Sequence, residues 1–105
     1  MADFVLLYSG GSMPETEAEQ ARVMQAWTEW YSKLGAAVKE GGNPFSPEVR
    51  AIANDGAVSN SVGTPHTGYT ILTAGSLDEA ATLARDSPVF QGGGAIEVYE
   101  VVEVM

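Results

Sequence analysis

Apolar positions in the first third of the chain predict a strand followed by an amphipathic helix. The run Phe4-Val5-Leu6-Leu7-Tyr8 has no polar alternation, which is typical of a central strand covered on both faces. After a break at Gly10-Gly11-Ser12-Met13-Pro14, apolar residues recur at helical spacing, at Val23, Trp27, Trp30, Leu34 and Val38. This spacing predicts one helix from about Glu17 to Leu34, with its stripe continuing past Gly35.

The middle of the chain predicts a hairpin. The segment Glu40-Gly41-Gly42-Asn43-Pro44 ends the predicted helix, and Asp55-Gly56 is a two-residue turn signal. Val49 to Asn54 is a weak strand candidate before the turn, and Ala57 to Val62 is the returning strand. Gly63-Thr64-Pro65-His66 then forms a loop ahead of the next strand.

The stretch from Gly68 to Met105 predicts a strand, a short helix and a closing strand. Residues 69–74 alternate between two faces, and Ser76 with Glu79 forms a capping box that starts the helix. Pro88 stops that helix, and residues 92–94, all glycine, lead into the last strand. The outer face of this strand mixes acids with Tyr99, Val101 and Met105, so it either meets another subunit or lines a polar cavity.

The order of elements predicts the fold class. A strand, helix, hairpin, helix, strand order is the βαββαβ pattern of an α+β, ferredoxin-like domain, here one domain over residues 1–105. Both helices then cover one face of an antiparallel sheet, and the other face is left bare. A second copy is the simplest cover, so we expect a homodimer formed through the open sheet face.

Composition narrows the classes of partner. Five basic residues against fourteen acidic ones give a net charge of −9, which repels nucleic acid and anionic membranes. The absence of cysteine excludes disulfides, thiol nucleophiles and thiolate metal sites. The N-terminal sequence carries an acid where a signal peptide needs positive charge, and no apolar stretch reaches the length of a membrane span. A cytoplasmic location is therefore expected.

A few residues could carry chemistry. His66 is the only histidine and could act as a general base, although an exposed loop histidine is the competing interpretation. Tyr8 and Tyr69 could direct hydroxyl groups into a cavity, and Trp30 is either a ligand contact or a core position. Asp86 could orient His66 or simply face water. Neither glycine cluster has a phosphate-loop pattern and no metal-binding spacing occurs, so no cofactor and no metal are expected.

The last third also resembles a known family. The segment GYTILTAGSLDEAATLARDSP followed by GGGAIEVYEVVEVM is similar to the C-terminal signature of the YCII-related proteins, or DGPF-domain group, and LLYSGG and AWTEWYSKLGA resemble its first strand and helix. The resemblance implies a ferredoxin-like fold that pairs as a dimeric α/β barrel. Some members carry a His–Asp pair proposed as catalytic, with the Asp close to the Pro after the second helix; in this chain Asp86 stands one residue further from Pro88, so the pair does not carry over as it stands. The DGPF tetrapeptide is absent here, where the chain reads VGTPHTGYT, and the first helix has no matching histidine.

Two functions follow as hypotheses. The first is a small-molecule-binding protein with a cleft between sheet and helix, acting as a cofactor-free isomerase or lyase with His66 as base and Tyr8 or Tyr69 as hydrogen-bond donor. The second is a non-catalytic dimeric accessory or interaction module. An enzyme requires polar groups that converge in a concavity, whereas a module requires only a surface patch.

Overall fold

The protein is described by a computed structural model that covers residues 1–11 and 14–104. Within these residues the elements are β1 (Ala2–Gly10), α1 (Glu17–Leu34), β2 (Val38–Glu40), β3 (Ala51–Ile52), β4 (Val58–Ser59), β5 (His66–Ala74), α2 (Leu77–Ala84) and β6 (Gly94–Val101). Short 3-10 turns follow α1 at Gly35–Ala37 and precede β6 at Pro88–Gly92. Ser12 and Met13, in the predicted break after the first strand, and Met105, predicted on the outer face of the last strand, lie outside the described residues.

The main sheet confirms the predicted fold class. Across the described residues its strand order is β2-β5-β1-β6, and every neighbouring pair is antiparallel. Both helices pack on the same face: Trp30 of α1 lies against Leu6 and Leu72, and Ala80 of α2 lies against Phe4. The architecture is therefore α+β and ferredoxin-like, with two helices on one face of an antiparallel sheet.

The edge strand β2 lies where the sequence predicted a continuation of the first helix. Gly35 ends α1 because it adopts a positive φ of 57°, and its amide donates to the Tyr31 carbonyl. The chain then turns, and Val38 pairs with Leu72 at the edge of the sheet. The prediction that the helical stripe continues to Val38 is wrong. Val38 packs against the core as a residue of β2, because this strand pairs with β5.

The Asp55-Gly56 turn is confirmed, but its hairpin is not part of the main sheet. The Ala53 amide donates to the Ala57 carbonyl at 2.8 Å, and the Ala57 amide donates to the Asp55 carboxylate at 2.9 Å. The flanking strands β3 and β4 are only two residues each and pair with one another alone. The predicted strands 49–54 and 57–62 are therefore too long, since nothing beside the turn extends their pairing.

Two further boundaries differ from the prediction. His66 begins β5, where it pairs with Ser9, instead of ending a loop. The last strand ends at Val101, because its partner strand β1 begins at Ala2 and offers no backbone for residues beyond. Both differences arise from strand pairing, because a strand extends only as far as the neighbouring strand offers backbone hydrogen-bond partners.

The core lies between the sheet and the helices. From the centre of the sheet, Phe4, Leu6 and Tyr8 are buried on the helix side. Val5 and Leu7, which point to the opposite side, are only partly buried. The strand is central, as predicted, but within one chain only one of its faces is fully covered.

One close backbone approach positions the segment that follows β2. Gly42 has φ of 77°, and a Cβ atom at this position would lie 1.7 Å from the Tyr69 carbonyl oxygen. Only glycine permits the chain to cross β5 at this distance. The crossing is held by a bridge between Pro44 and Gly68 and brings Phe45 beside Tyr69.

Candidate functional site

The two candidate tyrosines lie on opposite faces of the sheet. Tyr8 pairs with Gly68, whereas Tyr69 pairs with the neighbouring residue Leu7. Because successive residues of a strand alternate in direction, Tyr8 faces the helices and Tyr69 faces the open side. The structure therefore does not bring these two hydroxyl groups together.

Tyr8 belongs to a buried hydrogen-bond network. Its hydroxyl lies 2.6 Å from Thr70 Oγ1, and Thr70 in turn donates to the Gly41 carbonyl at 2.9 Å. Tyr31 donates to the same carbonyl at 3.0 Å. Burial of the phenol raises the pKa of Tyr8 well above its usual range, against the opposing effect of the Thr70 hydrogen bond. The Tyr8 hydroxyl is thus neutral and engaged within the core.

Aromatic rings fill the space between α1 and the sheet. Trp27 meets the Tyr8 ring edge-on at a centroid distance of 5.4 Å and meets the Trp30 ring at 5.6 Å. Trp30 is buried, and its indole nitrogen donates to the Leu83 carbonyl at 3.3 Å. Trp30 is therefore a core residue that ties α1 to α2, with one edge bordering a surface cleft.

That surface cleft, the Asp86 cleft, holds a second candidate. It measures about 220 Å³ and lies between α1 and the 3-10 turn, lined by Ala26, Glu29, Trp30, Lys33, Asp86, Pro88 and Gln91. Asp86 forms an ion pair with Lys33 at 3.1 Å, and both side chains are more than half exposed. Such a pair contributes at most about 1 kcal/mol. The carboxylate is already partnered and lies in a different cleft from His66.

The larger concavity, the His66 cleft, is built by two loop segments. It measures about 880 Å³ and is lined by residues 45–49 before the hairpin and residues 62–67 after it. Its walls are mainly apolar, with Phe45, Val49 and Val62 among them. His66 enters from the first position of β5, where strand pairing fixes its backbone. A cleft of this kind, apolar with few polar groups, is typical of small-molecule sites.

His66 has an unsatisfied nitrogen in this cleft. Its Nδ1 atom is buried and lacks a hydrogen-bond partner within the described part of the chain. A buried polar atom left without a partner costs about 1–3 kcal/mol. Because the atom has almost no accessible surface, a ligand in the cleft could bond to it only after the imidazole ring turns.

Tyr69 borders the His66 cleft through Phe45. The two rings stack with centroids 5.7 Å apart and an interplanar angle of 20°, and the Tyr69 hydroxyl donates to Glu40 at 3.3 Å. The structure thus places His66 in one cleft and Trp30 with Asp86 in the other, whereas Tyr69 lines neither and contacts the His66 cleft only through Phe45. Tyr8 also belongs to neither cleft. Phe45 was missed by the sequence reasoning, and its position between Pro44 and Pro47 was the available signal, since prolines restrict the backbone around an aromatic side chain.

The sheet surface opposite the helices is the second large feature. We call it the open face, formed by Asp3, Val5, Leu7, Tyr69, Ile71, Thr73, Glu97, Tyr99 and Val101. Tyr99 and Val101 are 53% and 46% exposed, and Val5 and Leu7 are only partly covered. Lys39 pairs with Asp3 at one end, and its hydrogen bond to that carboxylate raises the pKa of Lys39. Glu97 lies beside Leu7 at the other end and accepts a hydrogen bond from the Tyr99 hydroxyl at 2.8 Å, so the centre of the face is apolar and both of its ends are charged.

Comparison with solved structures gives a similar fold. The 5-chloro-2-hydroxyhydroquinone dehydrochlorinase TftG from Burkholderia phenoliruptrix AC1100, solved in complex with 2,5-dihydroxybenzoquinone, superposes with a TM-score of 0.54. The alignment covers 94% of this chain and 93% of that one at 18% sequence identity. Comparisons with family profiles and with curated proteins give no match. At this identity the likeness establishes the shared fold.

No helix among residues 1–11 and 14–104 is long and apolar enough to cross a membrane. The same residues contain no group of three or more His, Asp or Glu side chains placed to hold a metal ion.

Proposed function

We propose that this chain is a YCII-related protein that binds a small hydroxylated or quinone-type organic molecule in the His66 cleft. The ferredoxin-like fold shared with a dehydrochlorinase whose structure contains 2,5-dihydroxybenzoquinone supports this ligand class. The cleft supports it too, because stacked aromatic rings and apolar walls suit a flat ring, whose polar substituents need only a few hydrogen-bonding groups.

The observation that carries the proposal is the unpartnered His66 Nδ1 atom. The atom has almost no accessible surface, but it belongs to a residue that lines a mainly apolar cleft, so a turn of the imidazole ring would present it to a ligand hydroxyl or carbonyl group. Asp86, Trp30 and Tyr8 have no part in this site, since the first two line the Asp86 cleft and the third is engaged with Thr70.

An enzymatic form of this function would be proton-transfer chemistry without a cofactor. His66 would remove a proton from a ligand hydroxyl group or an adjacent carbon, and Tyr69 would donate a hydrogen bond to the oxygen that gains negative charge. The resulting enolate-like species would then reprotonate elsewhere in an isomerisation or expel a leaving group in an elimination. Tyr69 has to exchange its hydrogen bond with Glu40 for one to the ligand.

Calorimetric titration with 2,5-dihydroxybenzoquinone tests the site. We expect binding by the unaltered protein and a loss of at least about fivefold in affinity for His66→Ala, corresponding to about 1 kcal/mol for one hydrogen bond. Asp86→Asn is the matched control, since it alters the other cleft, and its affinity should stay within about twofold. Absence of binding to the unaltered protein, or a loss confined to Asp86→Asn, contradicts the proposal.

We also propose that two copies associate through the open face. A contiguous apolar sheet surface in contact with water is unfavourable, and a second copy of the same face buries both at once. The competing accessory-module hypothesis shares this dimer but needs no ligand. Native mass spectrometry distinguishes them, because a ligand-binding dimer purified under native conditions retains a bound small molecule, whereas a module is recovered without one.

A further inference from the structure

We propose that the hairpin between β3 and β4 is an exchange arm, which lies over the His66 cleft of a second copy and closes it. The arm comprises residues 50–61, with β3, the Asp55-Gly56 turn and β4. Its role as the cover of a ligand site rests on the proposed function, whereas its contact with the second copy does not. Each His66 cleft is thus covered by residues 50–61 of the other copy.

The arm has little attachment to its own chain. Within residues 50–61 only Ala51 is even partly buried, and all the other residues are exposed. Its hydrogen bonds in the structure stay within residues 49–61, from the Arg50 bond to the Val49 carbonyl to the Ser59 bond to the Ser61 carbonyl. A single two-stranded hairpin is marginally stable at best in water, so an ordered one needs a surface to pack against.

The arm presents an apolar pair that nothing covers in one chain. Ile52 and Val58 are directly opposite one another across the ribbon and therefore share one face. They are 72% and 62% exposed. Together they form a compact aliphatic patch at the base of the Asp55-Gly56 turn, suited to an apolar recess.

The overall dimensions agree with a projecting segment. The radius of gyration over Cα atoms is 15.3 Å, and a compact domain of this length is expected near about 13 Å. The molecule measures 44 × 39 × 18 Å along its principal axes, so it is flat and extended for its size. A segment that stands away from the core accounts for the excess.

The geometry favours a second copy over the arm's own cleft. The cleft walls are formed by two segments, residues 45–49, which lead into the arm, and residues 62–67, which follow it. The cleft therefore lies at the root of the arm, and the tip points away from it. In a two-fold arrangement the tip of each copy can meet the root of the other, and such reciprocal contacts form one closed interface.

Charge is compatible with this partner. The arm carries Arg50 and Asp55 and is neutral, so the whole net charge of −9 belongs to the remaining residues. The arm as a whole adds no net charge where it approaches an acidic body, since Arg50 offsets Asp55 of the turn. The contact also continues the proposed dimer, because Phe45 connects the His66 cleft to Tyr69 of the open face.

Disulfide trapping tests the exchange directly, since the chain contains no cysteine of its own. Ile52→Cys in an isotope-labelled chain would be mixed with Pro47→Cys in an unlabelled chain, allowed to exchange subunits, and oxidised mildly. We expect the mixed disulfide in at least tenfold excess over a control in which Gln91→Cys, in the Asp86 cleft, replaces Pro47→Cys. Equal yields from the two mixtures would overturn the exchange arm.

A second measurement does not depend on cross-linking. Sedimentation velocity of the double variant Ile52→Lys/Val58→Lys should give a dimer dissociation constant at least about tenfold higher than that of the unaltered chain. The circular dichroism spectrum of the variant should be unchanged. An unaltered dimer in this variant contradicts the arm contact, whatever the cleft binds. Conversely, failure of the quinone to bind leaves both arm experiments valid, so the two proposals fail separately.

Discussion

At the scale of single residues, Gly42 sets the path of the chain into the His66 cleft. Its positive φ and the 1.7 Å that would separate an added Cβ from the Tyr69 carbonyl oxygen leave no room for a side chain. We expect Gly42→Ala to lower the free energy of unfolding by at least about 2 kcal/mol, because the segment must shift or lose its bridge to β5. Gly56→Ala is the control, with φ of 88° but nothing within 4 Å of the added Cβ. It should cost about 1 kcal/mol in the same urea titration, and equal losses would contradict the steric argument.

Tyr8 gives the protein an expected alkaline sensitivity. Burial raises the Tyr8 pKa in the folded state, while in the unfolded state the phenol titrates near its ordinary value of about 10. Below that pH both states keep the proton, and above it only the unfolded state loses the proton, so stability falls as pH rises. Urea unfolding from pH 8 to 11 should show a steeper decline for the unaltered protein than for Tyr8→Phe. Parallel declines would mean that Tyr8 ionises equally in both states.

At the scale of elements, the short helix α2 depends on its cap. Ser76 accepts a hydrogen bond from the Glu79 amide at 3.1 Å, which satisfies one of the unpaired amides of an eight-residue helix. Ser76→Ala should therefore lower the free energy of unfolding by about 1 kcal/mol. Thr82→Ala is the matched control, since Thr82 is exposed and only bonds back to the Asp78 carbonyl at 2.9 Å. Its stability should change by less than about 0.5 kcal/mol.

The capping prediction also shows which elements the sequence could specify. Helix α1 begins at Glu17 and helix α2 follows the Ser76 cap, both as predicted, since a cap is an interaction over three residues. The strand β2 could not be found in this way. Its three residues have no local pattern of their own, and they become a strand because β5 offers backbone partners.

At the scale of the whole molecule, the open face predicts association that responds to charge. Val5→Lys would place a cation at the centre of the face, between Ile71 and Tyr99, where it would be desolvated on dimerisation. We expect at least about a tenfold weaker dimer by sedimentation equilibrium, with the fold retained because Val5 points away from the core. The exposed helix residue Gln25, replaced by Lys, is the control and should leave the dimer constant within about twofold. A Val5→Lys protein that dimerises normally would contradict the open-face interface.

The sequence alone determined the α+β class, the two helix starts, the central position of the first strand and the turn at Asp55-Gly56. These features depend on periodicity, caps and turn residues, which act between positions only a few residues apart. It also singled out His66 as a candidate base, although as part of a loop.

Only the tertiary structure decided which side chains share a site. Strand register placed Tyr8 and Tyr69 on opposite faces, and the Gly42 crossing brought Phe45 beside Tyr69. The same pairing separated Asp86 from His66 and set the hairpin outside the main sheet. These arrangements depend on contacts between residues far apart in the chain, where a shift of one residue in register reverses the face on which a side chain lies.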